Sequence, residues 1–212
     1  MPEGQIIRVQ LVDDHALVRD GVRGLLERHP DIRVVAESAS GEDAYTHYFE
    51  QQPDVVLMDV AMPGEGGLSS LRRIVRRDEK ACVVMLTMFD DEVIAVKAME
   101  AGARGFMSKG MQSQALYDAV TRVAAGEIYL DGTVARRMAM LKSGKGLESL
   151  SVREFEVFRM LAEGKGVQQI ADLLHLSPKT VGTHRTRIMD KLGCDNVAEL
   201  ARIAIRKDII SA

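Results

Sequence analysis

The first 126 residues alternate short β-rich runs with longer helical patterns, and that order admits few folds. Strands are expected near 6–12, 32–39, 54–58, 82–86 and 105–107, and helices near 15–28, 41–51, 67–78, 91–101 and 112–126. Strands separated by helical stretches of this length need crossover connections, which build a parallel sheet. The expected first domain is therefore a five-stranded parallel, doubly wound α/β unit of the flavodoxin type. In such a sheet the ligand crevice lies outside the carboxyl ends of the strands, so the residues that end the runs carry the chemistry.

Those residues are unusual as a set. Asp13 and Asp14 end Ile6-Ile7-Arg8-Val9-Gln10-Leu11-Val12; Asp59 ends Val55-Val56-Leu57-Met58; Thr87 ends Cys82-Val83-Val84-Met85-Leu86; Lys109 follows Gly105-Phe106-Met107-Ser108. Each alone would read as a polar loop residue, but five at matching strand ends form a constellation. Two adjacent carboxylates and a third from another strand make a hard-oxygen site suited to Mg²⁺, which takes one or two carboxylates and keeps several waters. A divalent cation would also relieve their mutual repulsion. Asp59, alone on a central strand, is the candidate nucleophile toward phosphorus, and its product would be an acyl phosphate. Thr87 would bond one phosphoryl oxygen and Lys109 would neutralise another, the positioning and charge stabilisation that phosphoryl transfer needs.

The remainder of the chain changes character. Residues 1–128 carry 14 basic and 21 acidic side chains, residues 129–212 carry 14 and 10, so the overall charge of −3 hides a split of −7 and +4. Such asymmetry suggests different partners for the two ends. Thr133 to Lys142 fits a helix, and Ser143-Gly144-Lys145-Gly146 fits a flexible linker, which places a first domain at 1–128, a linker with a helix at 129–148 and a second domain at 149–212. The last segment reads as all-helical with four helices. Ser151 and Glu154 form a capping-box pattern that opens a helix to about Glu163, and a short helix follows near Val167–Leu174. Ser177-Pro178 supplies an N-cap and a proline at the first helical position for a helix to about Leu192, and a last one spans about 196–207.

A short helix, the turn His175-Leu176-Ser177 and a helix opening Pro178-Lys179-Thr180 read as helix-turn-helix, whose second helix enters the major groove of double-stranded DNA. Val181, Ile188 and Leu192 suit its core face. The candidate DNA contacts are Lys179, Thr180, Gly182, Thr183, His184, Arg185, Thr186 and Arg187. Periodicity alone fits a solvated charged face of a small bundle equally well. Gly182 costs about 1 kcal/mol relative to alanine inside a helix, fitting either close backbone approach to DNA or drift at an exposed position. His184 fits either a phosphate donor or a packed ring.

These motifs carry a resemblance. Asp13-Asp14-His15, Asp59, Pro63, Gly67, Thr87 and Lys109 resemble the receiver domain of two-component response regulators over residues 6–126. Leu150-Ser151-Val152-Arg153-Glu154, Ile170-Ala171-Asp172-Leu173-Leu174 and Leu176-Ser177-Pro178-Lys179-Thr180-Val181, with His184, Ile188, Lys191 and Leu192, resemble the LuxR-type helix-turn-helix over about 150–206. Joined, they are similar to the NarL/FixJ class, nearest its GacA/UvrY-like members. The resemblance implies that Asp14 and Asp59 ligate Mg²⁺ directly with the backbone carbonyl of Ala61, that Asp13 acts through water, and that Phe106 stands at the family's aromatic switch position, where a core aromatic is an equally good reading. It further implies a histidine kinase as phosphoryl donor, a homodimer when phosphorylated, and contact with RNA polymerase. Two departures stand out: Gly110 follows Lys109 where most receivers have proline, and Gly182 stands where many relatives place a DNA-contacting lysine.

The expected protein is thus a phosphorylation-controlled transcription factor and not an enzyme. The alternatives are a phosphohydrolase using Asp59, which would want a second aspartate where Ala61 stands, and a regulator of the same fold that ignores phosphorylation. No apolar run approaches the roughly 18 residues of a membrane span, and Met1-Pro2-Glu3-Gly4-Gln5 has no secretory pattern, so a cytoplasmic protein is expected. Cys82 and Cys194 are far apart in sequence and suggest neither a disulfide nor a metal site.

Overall fold

The structure, a computed structural model, describes residues 6–88, 92–110, 112–130, 132, 135 and 146–210. In chain order its elements are β1 (Ile7–Val12), α1 (Ala16–Leu26), β2 (Ile32–Ser38), α2 (Gly41–Gln51), β3 (Val55–Asp59), α3 (Gly66–Arg77), β4 (Val83–Thr87), α4 (Glu92–Glu100), β5 (Gly105–Ser108), α5 (Ser113–Ala124) and β6 (Tyr129–Leu130). A 3₁₀ turn at Leu147–Ser149 then leads to α6 (Val152–Ala162), α7 (Val167–Leu173), α8 (Pro178–Leu192) and α9 (Val197–Arg206). The chain divides into two compact units, residues 1–90 with 101–134, and residues 91–100 with 135–212.

In the first unit the strands form one parallel sheet in the order β2-β1-β3-β4-β5-β6. The sheet has six strands, one more than expected. Tyr129 and Leu130 pair with Gly105 and Phe106, and the Tyr129 N–H donates to the Arg104 carbonyl at 2.9 Å. A two-residue strand shows no periodicity of its own; its neighbour's free edge fixes it. β2 lies on one side of β1 and β3 on the other, so the chain reverses its direction of winding there. That reversal opens the crevice at the carboxyl ends of β1 and β3.

Alternation along each strand splits the core. Val9, Leu11, Val55, Leu57, Val84, Leu86 and Met107 face one way and pack with Leu26 of α1 and Leu116, Ala119, Val120 and Val123 of α5. Gln10 points the other way and is fully buried; its amide donates to Ser38 Oγ at 3.2 Å and to the Ala44 carbonyl at 3.0 Å, tying β1 to β2 and α2. β3 and β4 are buried along their whole length. At the start of α3 the chain passes so close to β3 that a Cβ on Gly67 would lie 1.9 Å from the Asp59 carbonyl oxygen. Only glycine allows the Gly67 N–H to reach the Val60 carbonyl at 3.2 Å.

The second unit is helical among its described residues. Ser151 Oγ accepts from the Glu154 N–H at 3.3 Å while the Glu154 carboxylate accepts from the Ser151 N–H at 2.8 Å, the reciprocal cap its sequence predicts. Ser177 Oγ accepts from the Thr180 N–H at 3.1 Å, Pro178 opens α8, and Gly193 ends it with φ +64. Phe155, Phe158, Leu161, Ile170, Val181, Ile188, Leu200 and Ala204 form its buried interior. Within this unit Lys97 of α4 is buried, and its ammonium donates to the Glu148 carbonyl at 3.2 Å and Glu100 at 3.0 Å. The helix expected over 133–142 and the linker at 143–146 fall almost wholly outside the described residues. No helix among the described residues is long and apolar enough to cross a membrane.

Candidate functional site

The crevice gathers its residues from three strand ends. Asp13 and Asp14 leave β1, Asp59 ends β3, and Lys109 follows β5. The Lys109 ammonium reaches Asp13 Oδ2 at 2.6 Å and Asp59 Oδ2 at 2.8 Å, and all three side chains are nearly inaccessible to solvent. Asp59 Oδ1 accepts from the Ala61 N–H at 3.2 Å. Ligand atoms of Asp13, Asp14, His15 and Asp59 lie within 4.8 Å of one another, close enough to hold a metal ion. Asp13 Oδ2 and Asp14 Oδ1 are buried oxygens to which no donor points with hydrogen-bonding geometry, although Lys109 and His15 stand within ion-pair distance. Two such oxygens facing one pocket fit a hard cation.

Electrostatics follow from this enclosure. Burial pushes the Asp59 carboxyl above the ordinary carboxylate range; the Lys109 ammonium and the Ala61 N–H pull it back, and the neighbouring Asp13 charge adds to the rise. Loss of water disfavours a charged carboxylate more than one lysine shared between two acids compensates. His15, at the N-cap of α1, places Nδ1 3.0 Å from Asp14 and 3.3 Å from Asp13 with its ring mostly exposed. The adjacency Asp13-Asp14-His15 was the signal for that proximity.

Thr87 is buried at the end of β4, in register with Ser108, and its carbonyl accepts from the Lys109 N–H at 2.7 Å. Thr87 thereby fixes the turn that aims Lys109. Phe106 is fully buried in β5, opposite Met85 in the sheet register. Ala61 contributes its N–H as described, and its side chain is exposed. Sequence reading passed over Glu65, a buried carboxylate that pairs with Arg73 at 2.6 Å. Nothing in its local pattern marks it, because its burial depends on α2 packing against α3.

On α8, Val181 and Ile188 are buried while Lys179, Thr183, Thr186 and Arg187 are exposed and Thr180 and Gly182 are half-exposed. His184 and Arg185 flank the core face and are half-buried. A Cβ on Gly182 would meet nothing within 4 Å. Thr183 Oγ1 donates to the Lys179 carbonyl at 3.1 Å and Thr186 Oγ1 to the Gly182 carbonyl at 3.3 Å. Lys191 turns inward instead, donating to Glu154 at 2.6 Å and to the Ser149 carbonyl at 3.0 Å. Burial raises the affinity of Glu154 for its proton, but Lys191 and the Ser151 N–H outweigh this and leave its carboxyl below the usual range.

Comparison with known proteins agrees with both halves. Residues 9–121 match the response regulator receiver domain, and residues 148–204 match the luxR family of bacterial regulatory proteins. The response regulator UvrY of Escherichia coli (strain K12) is 40% identical over 98% of this chain and 97% of its own length. The response regulator GacA of Pseudomonas aeruginosa is 39% identical over 98% of this chain and 99% of its own. Among solved structures, RcsB from Salmonella enterica serovar Typhimurium, bound to promoter P1flhDC in the presence of the phosphomimetic BeF₃⁻, superposes with a TM-score of 0.76 at 27% identity, covering 93% of this chain and 97% of that one. The chain belongs to the two-component response regulators, a receiver joined to a LuxR-type DNA-binding domain, and is a transcription factor rather than an enzyme.

Proposed function

We propose that Asp59 is the phospho-acceptor of this regulator, charged by a histidine kinase. A carboxylate oxygen of Asp59 attacks the phosphohistidine phosphorus, the N–P bond breaks, and the imidazole leaves with its electron pair. The observation that carries this reading is the Lys109 ammonium bridging Asp13 and Asp59 at 2.6 and 2.8 Å: a cation already in contact with the nucleophile is placed to take a phosphoryl oxygen when that group arrives. Asp13, Asp14, Asp59 and the Ala61 carbonyl would hold Mg²⁺, which supplies positive charge against the phosphoryl oxygens. Thr87, at the neighbouring strand end, offers its hydroxyl to a second oxygen. The phosphoryl group adds about −1.5 to −2 charge and three acceptors, and Phe106 stands on the strand that leads to Lys109.

In this reading residues 1–128 receive the signal, 129–148 connect, and 149–212 bind double-stranded DNA in the cytoplasm. Phosphorylation promotes a homodimer that sets two copies of α8 about one DNA turn, ~34 Å, apart, and the bound dimer acts on RNA polymerase. Lys179, Thr180, Gly182, Thr183 and Thr186 face bases, with Arg187 on phosphate and His184 and Arg185 nearer the helix base. Acetyl phosphate with Mg²⁺ tests the proposal. The wild-type protein gains a phosphoryl group labile to alkali and to hydroxylamine, as an acyl phosphate is, and binds DNA more tightly, and Asp59→Asn does neither. Labelling of Asp59→Asn at the wild-type rate would refute it.

A further inference from the structure

Resting on the reading of α8 as the DNA-contacting helix, we propose that Thr183 and Thr186 select thymine through its C5-methyl group, so that the operator carries thymines at the two positions they face.

Both residues are exposed and lie on the side of α8 opposite its buried Val181 and Ile188, as a 100° turn per residue requires. A threonine carries one hydroxyl proton. In Thr183 that proton is given to the Lys179 carbonyl at 3.1 Å, and in Thr186 to the Gly182 carbonyl at 3.3 Å. Each hydroxyl is thus folded back on the preceding turn, and neither retains a proton to donate to purine N7 or O6. The methyl group on the same Cβ is then the apolar surface that each of these exposed side chains can offer. In the major groove the apolar feature that distinguishes one base is the thymine methyl, and threonine methyls are suited to contact it.

Gly182 extends this surface. It stands four residues before Thr186, hence beside it on the helix face, and a Cβ there would meet nothing within 4 Å. Bare backbone next to Thr186 lets the groove wall approach closely. Thr183 and Thr186, three residues apart, are neighbours along one ridge, so their methyls address nearby base pairs. Asp190 is also exposed on this side, and its charge repels phosphate, which confines the contact to the residues of α8 before it, toward the amino-terminal end that enters the groove in helix-turn-helix proteins.

The test uses the full-length protein phosphorylated with acetyl phosphate. Duplexes are selected from a random library, and each thymine common to the selected sequences is replaced by deoxyuridine, which removes only the methyl. At two positions per half-site, wild-type affinity is expected to fall roughly three- to fivefold for each methyl lost. Thr183→Ser and Thr186→Ser, which keep the hydroxyl, each lose this sensitivity at one position, and Thr183→Val and Thr186→Val, which keep the methyl, retain it. The opposite pattern, sensitivity kept by serine and lost by valine, overturns the proposal. So does a selected sequence with no deoxyuridine effect, which leaves DNA binding by α8 standing. Failure to enrich any sequence overturns the proposal together with that reading.

Discussion

Gly67→Ala is the sharpest single perturbation of the acidic site, because the substitution adds one methyl group and no polarity. The new Cβ would lie 1.9 Å from the Asp59 carbonyl oxygen and 2.9 Å from its carbon, about 1.5 Å short of ordinary contact. A third neighbour, Met85 Cε at 3.2 Å, can move aside. The Asp59 backbone cannot, because β3 is held between β1 and β4 and the Val60 N–H bonds the Leu86 carbonyl at 2.9 Å. Either the first turn of α3 retreats or the chain carrying the Asp59 carboxylate shifts. Overpacking of this kind costs about 1–3 kcal/mol, and a displacement near 1 Å at a reacting group costs about 10²-fold in rate. Urea denaturation and the initial rate of acetyl-phosphate labelling read these two effects separately. Gly182→Ala is the control: it enters open space and gains up to about 1 kcal/mol of helix propensity, with no change in labelling. A Gly67→Ala protein that melts and labels like wild type would show that the contact with Asp59 can relax without cost, and the steric reasoning would be wrong.

The buried charges of the crevice give a signed pH prediction. Because Asp59 has its pKa raised in the folded state, its contribution to stability is full below the unfolded value and is lost as pH rises through the folded one. Asp59→Asn is therefore expected to be the more stable protein at pH 7 in urea melts without Mg²⁺, with the difference closing toward pH ~4; a constant difference across that range would contradict it. Added Mg²⁺ raises the wild-type midpoint by mass action, whereas Asp59→Asn with Asp14→Asn shows no shift. Glu154 has the opposite sign: its lowered pKa contributes stability above the unfolded value that is lost as pH falls through the folded one. Lys191→Met should cost about 1–2 kcal/mol at pH 7, discounted for the partial exposure of Lys191, and should flatten the acid limb of the stability curve. Gly182→Lys adds a cation where space is open and should steepen the salt dependence of DNA binding by ~0.9 in log–log slope.

Much of the fold was legible because its signals are local. The β-rich runs and the helical stretches between them lie within a residue or two of the observed elements, since hydrophobic period and capping residues such as Ser151, Ser177 and Gly193 act within one turn. The gathering of Asp13, Asp14, Asp59 and Lys109 followed from one topological rule about where parallel strands end. β6 was not legible, because two residues have no period and only the open edge of β5 gives them a partner.

By itself, then, the sequence determined which side chains stand at strand ends, where helices start and stop, and which residues of α8 face away from its core. The tertiary structure decided what those side chains touch: that one lysine serves two aspartates, that Asp59 is buried enough to hold its proton more tightly, that Lys191 is tied to Glu154, and that Gly67 has no room for a methyl group. Local pattern specifies direction along a strand or around a helix. Distance between residues remote in the chain depends on how the layers pack, and with it go desolvation, ion pairing and steric fit, which set the chemistry of Asp59.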